Sequence, residues 1–109
     1  MVTGQLTEGL KYDTDKPRMD LIAPDAEVLL AKVLSFGAEK YDDRNWELGM
    51  DWGRVYAAAQ RHLTSFWSGE DNDPETGLPH LAHAYCCIMF LIAYQQRGIG
   101  KDTRNALHN

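Results

Sequence analysis

The stretch Pro79-His80-Leu81-Ala82-His83-Ala84-Tyr85-Cys86-Cys87-Ile88-Met89-Phe90-Leu91-Ile92-Ala93-Tyr94-Gln95-Gln96-Arg97-Gly98 decides the fold. Proline opens it and glycine stops it, which is the usual asymmetry of a helix. Between them, Leu81, Tyr85, Ile88 and Ile92 fall on one side and Cys86, Met89, Phe90 and Ala93 on the other. A helix that is apolar on every side must be buried on every side. A single chain of 109 residues supplies only a modest core. The expected fold is therefore all-α: a small helical bundle whose core is completed by oligomerisation into a dimer or higher form. The alternative is that the N-terminal arm covers one face of this helix.

Reading backwards, Gly69-Glu70-Asp71-Asn72-Asp73-Pro74-Glu75-Thr76-Gly77-Leu78 is an acidic loop. Asp-Pro and Thr-Gly are ordinary turn chemistry. Calcium is not indicated, because the loop lacks the alternating oxygen ligands and central glycine of an EF-hand. Before it, Asp51 is a good N-cap for a helix running to about Ser68, with Gly69 as its stop. Val55, Ala59, His62, Leu63 and Phe66 share the inward face of that helix, and Arg54, Ala58 and Arg61 form a separate stripe. A first helix starts near Pro24, with Asp25 and Glu27 at its positive end, and finishes between Gly37 and Tyr41. Leu29, Leu30, Val33 and Leu34 give it an apolar face. Residues 1–23 read as an extended arm and 99–109 as a frayed polar tail, so residues 1–109 form one domain.

A net charge of −5 argues against a general nucleic-acid binder. The run Leu81 to Tyr94 is too short to span a bilayer, and the polar first twenty residues do not read as a signal peptide. Adjacent Cys86 and Cys87 point about 100° apart on a helix and do not readily pair with each other. Reduced thiols fit a cytoplasmic protein.

The candidate chemistry lies in three blocks. His80 and His83 are spaced to share a helical face, and His62 sits centrally on the inward face of the helix before. Three imidazoles beside carboxylates suit a divalent metal, with His62, His80, His83 and Asp71 as candidate ligands. Zinc, manganese or iron would suit this mixed set better than magnesium. The bland reading is that the rings cap the helix or hydrogen-bond the acidic loop. In the second block, Lys11–Ile22, Lys16 and Arg18 flank Pro17, and a stiff loop with two cations can hold phosphate oxygens. By itself it reads as a solvated basic turn. The third block, Gly37–Trp46, combines Lys40, Arg44, Asn45, Tyr41 and Trp46, so a ring could stack on a base and an amide could read its edge. Equally, the aromatics could anchor the linker to the core. There is no P-loop, G-x-G-x-x-G or G-x-S-x-G.

Together, Lys-Tyr-Asp…Lys-Pro-Arg-Met-Asp-Leu-Ile, Gly-Ala-Glu-Lys-Tyr…Arg-Asn-Trp and Arg-His-Leu…Gly-Glu-Asp…Gly-Leu-Pro-His-Leu-Ala-His-Ala resemble the dATP/dGTP diphosphohydrolase N-terminal family of phage and prophage proteins. The resemblance runs from Lys11 to about Tyr94. It implies a relation to MazG-like all-α nucleoside triphosphate pyrophosphohydrolases, which are helical oligomers that release pyrophosphate. Those enzymes hold magnesium or manganese through E-E-x-x-E on one helix and E-x-x-D on the next. This chain has His80-Leu81-Ala82-His83 where the second motif would stand, and Ala57, Ala58, Arg61 and His62 near the first. Catalytic carboxylates would then come from Glu39, Glu70 and Asp73, and phosphate and base contacts from Lys16, Arg18, Lys40, Arg44, Asn45, Trp46 and Arg61. The implied setting is a host cytoplasm, and the implied ligand is a purine deoxynucleotide. An enzyme using manganese, magnesium or zinc is one reading. A non-catalytic sponge for a nucleotide-derived signal is the other.

Overall fold

A computed structural model describes residues 15–104. Most of the expected arm (residues 1–14) and the last five residues lie outside the described part. Three helices carry the fold: α1 (Pro24–Lys40), α2 (Trp52–Trp67) and α3 (His80–Arg97). Short 3-10 turns occupy Met19–Leu21 and Asn45–Leu48. Among the described residues there is no β-strand, only isolated bridges, so the all-α reading holds.

The helix limits follow from local chemistry. Pro24 begins α1, and Asp25 and Glu27 lie in its first turn. The Asp51 carboxylate accepts the Gly53 N–H at 2.9 Å and caps α2. Gly98 ends α3 at φ +66°, where the left-handed backbone favours glycine.

α2 and α3 form an antiparallel hairpin. His62 near the end of α2 meets His80 at the start of α3, and Trp52 at the start of α2 meets Ile99 just past the end of α3. Val55 and Ala59 are buried on α2, and His80, Ala84 and Tyr94 are buried on one stripe of α3. α1 covers a second side of α3, where Val33 packs with Ala82 and Cys86, bordered by Leu29, Leu30, Leu34, Leu78 and Phe90. The third side stays open, with Leu81 and Ile88 45% exposed and Ile92 56% exposed. Within one chain, then, α3 is not buried all round.

The linker is pinned by aromatics. Tyr94 has no exposed surface and donates its hydroxyl to the Trp46 carbonyl at 2.7 Å. The Trp46 ring stacks on Phe90 with centroids 4.9 Å apart, and the Arg97 guanidinium lies 5.3 Å from its centroid.

The expected frayed tail is, over residues 99–104, tied down. Trp52 N–H donates to Lys101 O at 2.9 Å, Trp52 Nε1–H to Ile99 O at 3.0 Å, and Thr103 Oγ1–H to Asp51 Oδ1 at 2.7 Å. These groups sit at the start of α2, where free N–H groups and a capping carboxylate give a polar tail partners. Gly100 makes the close approach possible: at φ +82°, an added Cβ would stand 2.5 Å from Met50 O and 2.9 Å from Trp52 Nε1. Gly100→Ala should therefore cost about 2–3 kcal/mol, roughly 10 °C in Tm. Gly77→Ala, also at positive φ (+75°) but with nothing within 4 Å, should cost only about 1 kcal/mol of backbone strain. Differential scanning calorimetry on both variants reads the difference.

Candidate functional site

The acidic loop is folded by its own polar groups. Asp73 N–H donates to Leu78 O at 2.8 Å, Gly77 N–H to Asp73 O at 2.7 Å, and Glu75 N–H to Asp73 Oδ1 at 3.0 Å. One carboxylate oxygen of Asp73 thus holds the turn. The other, Oδ2, lies 3.5 Å from His83 Nε2. Thr76 Oγ1 accepts the Leu78 N–H at 3.2 Å and stands 2.7 Å from His83 Nε2.

The three histidines converge. The rings of His62 and His83 stack with centroids 4.6 Å apart, and His62 Nδ1 is 2.9 Å from His80 Nδ1. His80 is buried, and its Nε2 meets Glu70 Oε1 at 2.7 Å. One nitrogen each from His62 and His83 and one carboxylate oxygen of Asp73 all lie within 4.8 Å of one another. Burial, above all, holds His62 and His83 below the ordinary imidazole value; nearby imidazoles push the same way and Asp73 opposes them. Both rings are thus neutral at pH 7, the form that ligates metals.

This cluster opens on a cleft of about 1020 Å³ between α1, the α1–α2 linker, the acidic loop and α3. His62, Asp73, Thr76 and His83 line one part, and Lys40, Tyr41, Arg44, Asn45 and Trp46 line another. Cys86 and Cys87 also face it, and burial raises both thiols, Cys86 to about 12. They are poor nucleophiles there.

The sequence-derived candidates divide as follows. His62, His80, His83, Glu70 and Asp73 are gathered at the cluster, and Lys40, Arg44, Asn45 and Trp46 at the cleft. The structure brings in Asp71 through its main-chain oxygen, which accepts the His80 N–H at 2.9 Å; its carboxylate is not among the gathered ligand atoms, and that of Asp73 is. Glu39 is exposed on α1 and does not line the cleft. Lys16 and Arg18 are also exposed outside it, and Arg18 is paired with Asp20 at 2.7 Å. Arg61 lies outside the lining too, although its charge reaches His62 and Cys87. Thr76 was not foreseen. The sequence signal for it was the Asp-Pro-Glu-Thr-Gly turn, read only as a turn.

Arg44 takes a left-handed backbone at φ +56° and pairs with Glu47, which Arg97 also meets at 2.7 Å. The two guanidiniums hold Glu47 down at about 2, against 4.5 ordinarily. A depressed carboxylate contributes stability above its unfolded value and loses it as pH falls toward the folded one. Tm should decline between pH 4.5 and 2, and Glu47→Gln should flatten part of that decline in a pH series of melts.

Over residues 7–104 the chain matches the family described as "dATP/dGTP diphosphohydrolase, N-terminal". It is 39% identical over 83 residues to a "dATP/dGTP diphosphohydrolase" of Salmonella phage PMBT28, a match that covers 76% of this chain and 28% of that protein. The chain thus spans little more than a quarter of that relative's length. No solved structure matches it.

Proposed function

The chain belongs to the dATP/dGTP diphosphohydrolase N-terminal family, and from that premise we propose that its cleft binds a purine deoxynucleoside triphosphate and, with a divalent metal, releases pyrophosphate. The observation that carries this reading is the opening of the His62, Asp73 and His83 donor set on a cleft with Lys40 and Arg44 in its lining. A cavity of this volume stands at the upper end of the range of small-molecule sites.

The residues divide the work by position. Lys40 and Arg44 meet phosphate oxygens, Arg44 after partial release from Glu47. Tyr41 is exposed in the cleft wall and offers a ring to the purine. Trp46 is engaged by Phe90 and Arg97 and shapes the wall. The Asn45 amide is available to a base edge. The divalent ion, held by His62, His83 and Asp73, would polarise a phosphoryl oxygen and acidify a water. Val33, Leu34, Met89 and Phe90 give the cleft an apolar wall on which a base can rest.

A binding protein without turnover is the second reading. It is favoured by the histidines, rather than carboxylates, at the start of α3. Phosphorus NMR on a panel of deoxynucleoside triphosphates with manganese separates the two. Pyrophosphate and monophosphate appearing together support hydrolysis. Intact ligand recovered from a stable complex supports binding alone, and the absence of any complex removes the nucleotide reading. No helix among the described residues is long and apolar enough to cross a membrane.

A further inference from the structure

We infer that His62, His83 and Asp73 form a transition-metal site of the two-histidine, one-carboxylate kind, and that Glu70 and His80 form a relay that presents His62 to the ion. This deepens the proposed function by naming the metal class and the positioning residues, but its test needs no nucleotide.

The relay follows from hydrogen-bond bookkeeping. Ionised Glu70 can only accept, so the 2.7 Å contact requires a proton on His80 Nε2. When that is the ring's single proton, His80 Nδ1 is bare. The 2.9 Å contact between the two Nδ1 atoms needs one donor, and with His80 Nδ1 bare that donor is His62. His62 is thereby fixed as the Nδ1–H tautomer, with its Nε2 lone pair free for an ion. A ligating imidazole held through its other ring nitrogen is the usual outer-shell arrangement of metal sites, extended here through a second imidazole to the carboxylate. His80 is buried at the centre of this relay, while Glu70 at its outer end is half-exposed.

The other two ligands are placed by the acidic loop, where Thr76 Oγ1 stands 2.7 Å from His83 Nε2, a contact that an ion would displace. Asp73 Oδ1 is occupied by the Glu75 N–H, which holds the carboxylate in place and leaves Oδ2 toward His83. The ligand atoms now lie within 4.8 Å of one another, and ligands sharing one ion at about 2.1 Å stand roughly 3–3.5 Å apart. A side-chain movement of about an ångström closes the gap. Two imidazoles with a single carboxylate favour manganese, iron, cobalt or zinc, whereas magnesium prefers oxygen and keeps its waters.

The experiment is metal titration of the chelator-treated full chain without nucleotide, by calorimetry with zinc, manganese and magnesium and by visible absorption with cobalt. Expected are one cobalt or zinc ion per chain, affinity for them at least tenfold above that for magnesium, and loss of binding in Asp73→Asn and His83→Ala. Glu70→Ala should weaken binding tenfold to a hundredfold without removing a ligand. Nitrogen-15 NMR of the metal-free protein should report His62 as the Nδ1–H tautomer. Circular dichroism selects the folded variants, and Asp73→Asn serves if His83→Ala does not fold. Equal affinity for magnesium, or unchanged zinc affinity in Asp73→Asn, overturns the site. A His62 proton on Nε2, or parental affinity in Glu70→Ala, overturns the relay. Metal binding without pyrophosphate release would leave the site standing and count against the enzymatic reading alone.

Discussion

At micromolar concentration the protein should sediment as a dimer or larger species, and Ile88→Asp should reduce it to single chains. Leu81, Ile88 and Ile92 form one exposed stripe of α3, and Tyr56, Leu63 and Trp67 form one on α2, with Trp67 86% exposed. In each helix the stripe lies about a quarter turn, in the sense of the chain, from the residues facing the other helix. The helices run in opposite directions, so both stripes emerge on the same side of the hairpin. α1 covers the other side. Six large apolar groups thus form one face, on the scale of the ~800 Å² per partner of a standard interface. Gln60 and Gln95 flank it by the same helical geometry. Self-pairing therefore brings amides, rather than like charges, together, although the chain carries a net −5. We infer that the occupant is a second copy, its hairpin completing a four-helix core. An aspartate buried at Ile88 would lack a partner and should cost at least 3 kcal/mol, more than a hundredfold in association. Trp67→Ala should weaken the pair by about 2 kcal/mol or more. Sedimentation of the parent as a monomer at tens of micromolar would refute this interface, and a solvated face would tolerate Ile88→Asp.

The helices were legible because their signals are local. Pro24, Asp51, Gly69, Pro79 and Gly98 punctuate apolar patterns, and each acts within one turn of its own position. The histidine cluster was legible for a related reason: a spacing of three on α3 and an inward place on α2 leave few ways to pack the hairpin without bringing the rings together. What periodicity could not supply was the choice between Asp71 and Asp73. Both lie in one loop, and the choice depends on which main-chain groups close it: Asp73 accepts from Glu75, while Asp71 is used through its carbonyl. Nor could it foresee that residues 99–104 return to the start of α2, since pairing of Lys101 with Met50 and Trp52 is non-local and rests on a glycine that looks like any other. Trp46 could be read as a base platform or as an anchor; its ring contacts favour the anchor.

Asp73→Asn should reduce pyrophosphate release by about a hundredfold to a thousandfold while leaving the fold and the nucleotide KM nearly unchanged. The substitution preserves shape. The amide oxygen can still accept the Glu75 N–H, so the loop keeps its closure. The amide nitrogen would then face His83 Nε2 and donate to it, which removes the carboxylate and occupies the imidazole lone pair together. Lys40 and Arg44 remain to hold phosphates, so the loss belongs in kcat. The pH dependence has a definite sign. With His62 and His83 held below the ordinary imidazole value, turnover should persist as pH falls through about 6.5 and fail only further down, where the rings acquire protons and release the ion. Steady-state kinetics at saturating manganese, repeated across that range, measures both effects. Parental kcat in folded Asp73→Asn would show that the reaction does not use this cluster. An acid limb above the ordinary imidazole value would show that other groups control it.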